Sequence, residues 1–485
     1  MCVLVKIKLT CLFLLIFVAL QTKATIHNTY NIKDYGAVAD GKTDNAVAIQ
    51  KAIDACSSAK GGVVIVPSGI YLSGPFNLKS NIEVNIQTGA TILANPDENV
   101  YKVSAFRDNP GEGTIWIGGY DVHHLTLSGG GTIDGNGISF MGAELEDSYV
   151  LKPFSVADKR PHVLTLIGGS NIRIKDLTIR NSAYWTVHLI GCDDVVVSGI
   201  TLLNSLKVRN SDGIDVDHSR NVRISDCYIE SGDDCICLKN RREFQEFGPC
   251  KNITVSNCTM TSRSCAIKIG SENVDSISNV IISNCIITKS NRGIGIQNRD
   301  EGTVSNVFFS NIIIDSHFFS DVWWGKAEPI YVTSFKRAKS ADKDGGWRFA
   351  KGQTEGKAGQ VSNIRFSNIS CSSENGIYVG GESPGLVNNI SFDQINLFLN
   401  KTTAIEGGIY DRRPSAVAGL VKAKTSGFYL DQASDISISN SKVTWGNNKA
   451  PYFSRVLEKN EVERLKLNGL EGEDAFSGQL HRIRK

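Results

Sequence analysis

The sequence lacks a bulk charge of either sign. Its 485 residues include 52 lysines and arginines against 50 aspartates and glutamates, which gives a formal net charge of +2. Overall charge therefore indicates neither a nucleic-acid partner nor a membrane surface. A polyanionic ligand would need a local cluster of lysine and arginine side chains.

A second absence is a long apolar run beyond the amino terminus, where no stretch approaches ~18 consecutive apolar residues. The first segment, 1–24, has Lys6 and Lys8 before the apolar run 9–20, then small or polar residues through Ala24. This pattern predicts a secretory signal peptide, followed by one secreted domain over residues 25–485. Removal of the segment takes away three lysines and no acids, which changes the formal charge from +2 to −1.

Ten cysteines follow that segment, an even number that permits disulfides in an oxidising compartment without giving their pairing. Cys227, Cys258 and Cys285 recur at the same place in three successive repeats. Their recurrence favours an inward stack of small apolar side chains over disulfide or metal roles. N-x-S/T sequons also suit a secretory route; they lie at Asn252, Asn257, Asn368, Asn389 and Asn400.

Repetition is what the sequence has in abundance. Nine segments each consist of Asn or Asp followed by alternating, mostly β-branched residues; they begin at Asn171, Asp194, Asn221, Asn252, Asn279, Asn306, Asn363, Asn389 and Asp435. Each predicts a strand with one inward face, begun by a side chain that can bond local backbone at a turn. The first six start 23, 27, 31, 27 and 27 residues apart, a period that fits one coil of a β-solenoid.

The leucine-rich repeat has a similar period, but its L-x-x-L-x-L framework and helical half-repeats are missing. We therefore expect an all-β fold, a single parallel β-helix. A short helix that Asp44 caps, with Ala46, Ile49, Ile53 and Cys56 on one face, is expected to plug the amino-terminal end of the solenoid. The segment EPIYVTSF, 328–335, predicts another rung, and the Gly- and charge-rich stretch after it predicts an inserted loop.

Acidic residues are densest in NSDGIDVD, 210–217, and SGDDCICLK, 231–239. Asp212 and Asp233 are 21 residues apart, close to one coil, so stacking would bring Asp212, Asp233 and Asp234 onto adjoining rungs. Inverting hydrolysis of a glycosidic bond needs one protonated and one ionised carboxyl ~6.5–9.5 Å apart. Crowded carboxylates assist by raising one pKa. Asp pairs more often simply complete turns, but acids on two consecutive coils favour chemistry.

At these residues the sequence resembles glycoside hydrolase family 28, the polygalacturonase-like, pectin-degrading family. NSDGID at 210–215 and GDD at 232–234 are similar to its two acidic motifs, as are YNIKDYGAVADGKTDNAVAIQKAIDAC at 30–56, GGVVIVPSGIY at 61–71 and GTIDGNG at 131–137. The resemblance implies a right-handed β-helix that uses neither metal nor organic cofactor. It implies Asp233 as general acid, with Asp212 and Asp234 holding and activating the water.

The family's W-x-x-H segment is matched by NSAYWTVHLIGCDDV, 181–195, where His188 would border the sugar site or serve as a buried structural histidine. Two further motifs differ. Ser264 or Cys265 stands where the family's G-H-G histidine is expected, and Gly295 and Gln297 stand at the Arg and Lys of R-I-K. Lys239, Lys268, Arg292 and Arg299 are candidates for cationic substrate contacts from shifted positions; the alternative is that they are ordinary solvated charges.

The resulting hypothesis is a secreted, monomeric, extracellular or cell-wall glycoside hydrolase that cleaves α-glycosidic bonds of pectin by inversion. Its partner would be a pectic polysaccharide, with no nucleic acid and, after signal cleavage, no membrane. A hydrolase for a substituted galacturonan or rhamnogalacturonan, or a non-catalytic carbohydrate-binding β-helix, is the alternative. A β-helical pectate lyase would need a Ca²⁺ cage and an Arg base, for which the sequence has no clear pattern.

Overall fold

The chain winds into a right-handed parallel β-helix. The computed structural model describes residues 28–107, 112–145, 151–156, 159–320, 323–337, 356–415, 419–476 and 480–484. The expected signal peptide, 1–24, and most of the expected inserted loop lie outside these residues. Within them, no helix is long and apolar enough to cross a bilayer.

One sheet of 32 strands contains most of the described chain, and its ladders are parallel except at the last strand. The amino-terminal strands are β1 Thr29–Asn31, β2 Gly62–Val66, β3 Gly69–Ser73, β4 Phe76–Asn77, β5 Ile82–Ile86, β6 Ala90–Ala94, β7 Thr114–Ser128, β8 Thr132–Asp134, β9 Met141–Glu144, β10 Phe154–Val156, β11 Pro161–Lys175 and β12 Thr178–Arg180. The central strands are β13 Val187–Ile190, β14 Asp193–Ser198, β15 Thr201–Leu203, β16 Ile214–Asp217, β17 Arg220–Ser225, β18 Tyr228–Ser231, β19 Ile236–Asn240, β20 Cys250–Ser256, β21 Thr259–Ser262, β22 Cys265–Asn273, β23 Ser276–Ser290, β24 Arg292–Asn298, β25 Thr303–Ser316 and β26 Ile330–Ser334.

The carboxyl-terminal strands are β27 Val361–Ser373, β28 Ile377–Gly381, β29 Val387–Leu399, β30 Ile409–Asp411, β31 Leu420–Lys422, β32 Phe428–Asp431, β33 Ser434–Trp445, β34 Leu457–Asn460, β35 Lys466–Glu473 and β36 Leu480–Arg484. Two antiparallel hairpins, β9–β10 and β30–β31, stand outside the main sheet. Short 3-10 turns cover Ile32–Tyr35, Glu98–Val100, Gly137–Phe140 and Arg242–Phe247. The rung expected at 328–335 is present as β26.

The core follows from the alternation in each repeat. In β25, Val307 and Phe309 are buried while Phe308 between them is exposed. Stacking then places like side chains over one another from coil to coil, so that Phe309, Phe366 and Phe392 form a stack with ring centroids 4.9 and 5.0 Å apart. Each coil thus buries the apolar face of its neighbour, which is the dominant stabilising contribution in a solenoid.

The asparagines that begin the repeats form a ladder on the outer surface. Asn252, Asn279 and Asn306 have φ of 60°, 58° and 55°, a conformation that asparagine tolerates better than most residues. The Asn279 side-chain Nδ2 donates to the side-chain Oδ1 of Asn252 at 3.1 Å, and Asn306 Nδ2 donates to Asn279 Oδ1 at 3.3 Å. These side chains therefore bond along the stack, whereas the sequence pattern suggested bonds to local backbone.

Helix α1, Ala46–Ser58, packs on the amino-terminal coil, as expected from the sequence. Ile49, Ile53 and Cys56 are buried on its inner face. The Asp44 carboxylate accepts from the Ala46 N–H at 2.8 Å, although the residue next to the first turn is Asn45. The ten cysteines within the described chain are buried and free of disulfides, and the stack expected of three of them is inside the coil.

Candidate active site

Three aspartates converge where successive coils turn from one sheet face to the next. Asp212 precedes β16, and Asp233 and Asp234 precede β19, which pairs with β16 so that Ile214 faces Ile236. Each of the three has a carboxylate oxygen within 4.8 Å of such an oxygen on the other two. All three are buried, with Asp233 the most exposed at 8%. The structure therefore brings together the residues predicted as catalytic.

Gly232 explains why the turn can bring the acids so close. A Cβ at this position would be 2.1 Å from the Val208 carbonyl oxygen, so only glycine lets the two turns touch. The Gly232 N–H also donates to the Ser211 hydroxyl at 3.1 Å. This contact fixes the turn that carries Asp233 against the turn that carries Asp212.

Asp234 has two partners on the next coil. The Lys268 ammonium donates to one of its oxygens at 2.8 Å, and the Ser264 hydroxyl donates to the other at 3.1 Å. Ser264 thus contacts the acids from the place where the family resemblance led us to expect a histidine. The Lys268 side chain is 12% exposed. Of the five residues proposed as cationic or polar substrate contacts, Lys268 is the one that touches a predicted catalytic carboxylate.

Burial raises the pKa of Asp233, and the neighbouring Asp234 raises it further, while Lys268 and Arg263 act in the opposite direction. The pKa of Asp212 is raised well above its ordinary value, first by burial and then by repulsion from Asp233. These shifts favour retention of protons on Asp212 and Asp233. The cluster therefore combines groups that hold a proton with one carboxylate, Asp234, that faces an ammonium.

Two further side chains belong to the site: Trp323, which with Trp324 is expected from the sequence to offer a flat apolar platform to a sugar ring, and Arg263, which was not predicted. The Arg263 guanidinium is fully buried, lowers the pKa of Asp233, and lies 4.7 Å from the centre of the Trp323 ring. Arg209, on the turn before Asp212, also lies 4.7 Å from that ring. Trp323 comes from a segment after β25, and no repeat spacing could have placed it against Arg209 and Arg263.

Lys239, on the coil of Asp233 and Asp234, and His188, on the coil before Asp212, are engaged within the protein. Lys239 forms an ion pair with Asp215 at 2.8 Å and lies 3.6 Å from the centre of the Trp185 ring. His188 is fully buried, and its Nε2 lies 3.3 Å from Asp217. Burial, followed by the positive charge of Lys239, lowers the pKa of His188 well below its usual value, which favours the neutral ring.

On the carboxyl-terminal side, Arg292 and Arg299 are also paired internally. Arg292 donates to both Glu328 oxygens at 3.1 Å, and Arg299 donates to Tyr331 at 3.1 Å and Thr333 at 3.0 Å. Their exposures are 3% and 1%. In this conformation neither guanidinium is open to a ligand.

Gly295 and Gln297 occupy the positions at which cations were expected, and both positions are closed. A Cβ on Gly295 would be 2.9 Å from the Cys265 sulfur and 3.0 Å from the Arg292 side chain. Gln297 is 3% exposed and donates its side-chain amide to the Arg413 carbonyl oxygen at 2.5 Å. The surrounding structure is therefore built for small or neutral residues here.

Among the residues that the structure describes, the oxygens of these three aspartates come close enough together to share a metal ion. Lys268 already places a positive charge against Asp234. The arrangement can therefore balance part of its negative charge from within the protein.

The fold and the site together place the chain among parallel β-helix proteins whose adjoining coils bring buried aspartates together at one face of the sheet. Within that class the chain belongs to glycosyl hydrolases family 28, whose family model matches residues 56–318. The match includes all three aspartates.

Similar proteins include “Probable polygalacturonase” of Vitis vinifera, 33% identical over 264 residues that cover 50% of this chain and 51% of that protein. “Polygalacturonase” of Gossypium barbadense is 29% identical over 266 residues, covering 49% and 61%. A family 28 exopolygalacturonase of Yersinia enterocolitica shares the fold, with a TM-score of 0.67, 19% identity, and coverage of 91% of this chain and 78% of that one. The chain thus spans about half the length of the first of these curated relatives.

Proposed function

We propose that this protein is a glycoside hydrolase that cleaves α-glycosidic bonds of pectic polysaccharides, with Asp233 as general acid. The observation that carries the proposal is the cluster in which Asp233 has a raised pKa while Asp234 faces Lys268. General acid–base catalysis needs such a pair of unlike carboxyl groups. Membership of family 28 and the names of the relatives support it.

In the proposed reaction, the Asp233 proton passes to the glycosidic oxygen as the bond from that oxygen to the anomeric carbon breaks. A water held by Asp212 and Asp234 adds its oxygen to the anomeric carbon and gives its proton to Asp234. Two hydrogen bonds of about 2.8 Å to one water span about 4.5 Å. The oxygen separations of at most 4.8 Å suit a single shared water.

The same short separations favour a second candidate, a retaining hydrolase. Inverting enzymes commonly have carboxyl groups about 6.5–9.5 Å apart, and retaining enzymes about 5–5.5 Å apart. A carboxylate close to the anomeric carbon could attack it directly and form a covalent intermediate. We favour inversion because Lys268 and Ser264 hold both oxygens of Asp234 in place, which hinders direct attack on the anomeric carbon but leaves a lone pair on each oxygen for the proton of a water.

Proton NMR of the first product, before the anomers equilibrate, separates the two mechanisms. Inversion predicts that the initial product has the opposite anomeric configuration to the bond that was cut. Retention of configuration would contradict the proposed roles and support a carboxylate nucleophile. Release of no reducing sugar from any pectic polymer would contradict hydrolysis itself and favour the carbohydrate-binding alternative.

We further propose that the preferred polymer is a substituted galacturonan or rhamnogalacturonan. A desolvated sugar carboxylate needs a cationic partner, but Lys268, Arg292 and Arg299 are already paired. Gly295 and Gln297 supply no charge. The expected result is a higher kcat/KM on rhamnose- or xylose-containing pectin than on polygalacturonate, measured by reducing-sugar release. The reverse order would contradict this substrate assignment.

The proposed location is extracellular, in or near a cell wall, because that is where the polymer is. Fusion of residues 1–24 to a reporter should export the reporter from a eukaryotic cell. Retention inside the cell would remove the basis for secretion. The proposed active form is a monomer with no metal or organic cofactor, so chelation with EDTA should leave hydrolysis unchanged.

A further inference from the structure

The outer face of the sheet is covered on the amino-terminal side of the acids. Phe247, from the 3-10 turn Arg242–Phe247, lies so close to Gly191 that a Cβ there would be 2.2 Å from the ring. Phe106, Tyr184 and Trp185 form a buried aromatic cluster beside this turn. The Phe106 and Trp185 ring centres are 5.1 Å apart, and Arg241 lies 4.1 Å from the Phe106 ring centre. We call this cover the amino-terminal wall.

A second cover lies on the carboxyl-terminal side. The hairpin β30–β31 packs on the outer face of the rungs that follow Lys268. Tyr410 of the hairpin stacks on Tyr378 at 4.7 Å, and the Tyr331 hydroxyl donates to the Asp411 carbonyl oxygen at 2.6 Å. Tyr331, Tyr378 and Tyr410 are fully buried, so among the residues that the structure describes these rungs are covered on their outer face.

The segment that carries Trp323 continues this cover toward the acids. Its ring lies 4.7 Å from both Arg209 and Arg263, which belong to the coils of Asp212 and Ser264. The Arg413 guanidinium donates to the Trp323 carbonyl oxygen at 3.2 Å and so ties the segment to the hairpin. Trp323 and the hairpin together form the carboxyl-terminal wall.

Between the two walls, the acids, Ser264 and Lys268 remain in a confined space. Exposures of 8% for Asp233 and 7% for Ser264 show how little of this face is open. A polymer bound through its middle must leave the site in both directions, and each wall covers one direction along the stack of coils. A chain end needs only the opening between the walls, where Asp233 and Ser264 keep their exposure.

We infer that the site is a blind pocket that accepts a chain end, so that the protein removes short products from polysaccharide ends instead of cutting within chains. This inference rests on the proposed hydrolysis and deepens it, because it states which part of the polymer is the substrate. It also assigns Trp323 as a specificity-determining residue. The Trp323 ring belongs to the carboxyl-terminal wall and contacts Arg263, the guanidinium that lowers the pKa of Asp233.

The experiment is a product time course on pectic oligosaccharides and polymers whose reducing ends carry a fluorescent label. Removal of short products from the unlabelled end predicts labelled products that shorten by a constant step, with a slow fall in polymer viscosity. Attack at the other end predicts an immediate short labelled product. Either pattern supports the pocket. Labelled fragments of mixed length from the first minutes, with a rapid fall in viscosity, would overturn it.

A failure of the proposed function looks different, because then no polymer or oligosaccharide is shortened at all. The variant Trp323→Ala tests the wall directly. We expect it to add internal cuts, seen as labelled fragments of mixed length that are absent from the wild-type time course. Trp324→Ala is the matched control, since Trp324 contacts Asn291 through its main-chain carbonyl. A folded Trp323→Ala protein with wild-type products would overturn the role of Trp323.

Discussion

At the scale of single residues, the site depends on unlike surroundings for chemically identical groups. Three aspartates lie within 4.8 Å, yet one faces an ammonium and two are dominated by burial and mutual repulsion. The protein thereby gives the same side chain different electrostatic surroundings at different positions. Changes to one member should consequently affect the others.

Asp233→Asn removes the proposed general acid while preserving its shape. We expect hydrolysis to fall by at least ~10²-fold, the usual contribution of a general acid, with the unfolding midpoint nearly unchanged. The matched control is Asp121→Asn on an exposed turn, where φ of 49° also suits asparagine. Wild-type activity in a folded Asp233→Asn protein would remove Asp233 from the mechanism.

The pH dependence of kcat/KM should reveal the electrostatics of the cluster. Because the pKa of Asp233 is raised in the folded protein, its acid form persists above the usual range, and activity should fall as pH rises through that pKa. Lys268 lowers the pKa of Asp233, so Lys268→Met should move the alkaline limb to higher pH. Lys442→Met, on the exposed surface, should not move it. A shift to lower pH in Lys268→Met would contradict the assignment.

The sequence was sufficient to find the three aspartates, because their spacing matches one coil and their motifs are specific. It did not identify Arg263 as part of the site, since charge alone does not distinguish a buried guanidinium from a solvated one. Nor could it show that Arg292 is ion-paired and Arg299 hydrogen-bonded within the protein, because Glu328 and Tyr331 approach them only after the coils have stacked.

At the scale of elements, the closed positions at Gly295 and Gln297 predict the result of restoring the family's cations. Gly295→Arg with Gln297→Lys should lower the melting temperature and leave KM for polygalacturonate no better. The cause is overpacking against Cys265 and loss of the bond to Arg413. Thr303→Lys, on the exposed surface of β25, is the control for added charge. A stable double variant with a lower KM for polygalacturonate would show that the site can accept the added arginine and lysine.

The asparagine ladder should contribute measurably to stability. Asn279→Gly keeps access to the φ of 58° but removes the two side-chain bonds, and should cost about 0.5–1.5 kcal/mol per bond. Asn279→Ala should lower the free energy of unfolding by about 1–2 kcal/mol more, because alanine is strained in the left-handed region. Urea unfolding compares the two. Equal losses would show that backbone conformation plays no part.

The repeats identified the strands well, because alternation and period are properties of the sequence itself. The partner of each asparagine side chain was not predictable from one repeat, since a ladder exists only between coils. The hairpin β30–β31 also has no repeat signature. Its position over Tyr331 and Tyr378 is a product of tertiary packing, and so the pocket could not have been inferred from sequence alone.

At the scale of the whole molecule, the amino-terminal plug is expected to control association. Ile49, on the inner face of α1, is fully buried, whereas Val47 on the same helix is 66% exposed. Ile49→Asp should displace the helix, lower stability and uncover apolar edges that self-associate, which light scattering after size-exclusion chromatography would detect. Val47→Asp should remain unaffected. A stable, monomeric Ile49→Asp protein would show that α1 is dispensable as a plug.

The ladder and the stacked cores have a consequence for how such a molecule can grow. Between β23 and β25 the register is constant, from Ser276 facing Thr303 to Ile287 facing Ile314. A tandem duplication of residues 279–305 would therefore repeat every inward side chain and every ladder amide in place, and the added coil could pair with both neighbours. A duplication that ends partway round a coil would shift side chains off the stack. The molecule can therefore lengthen by whole coils, because each added coil extends the existing core.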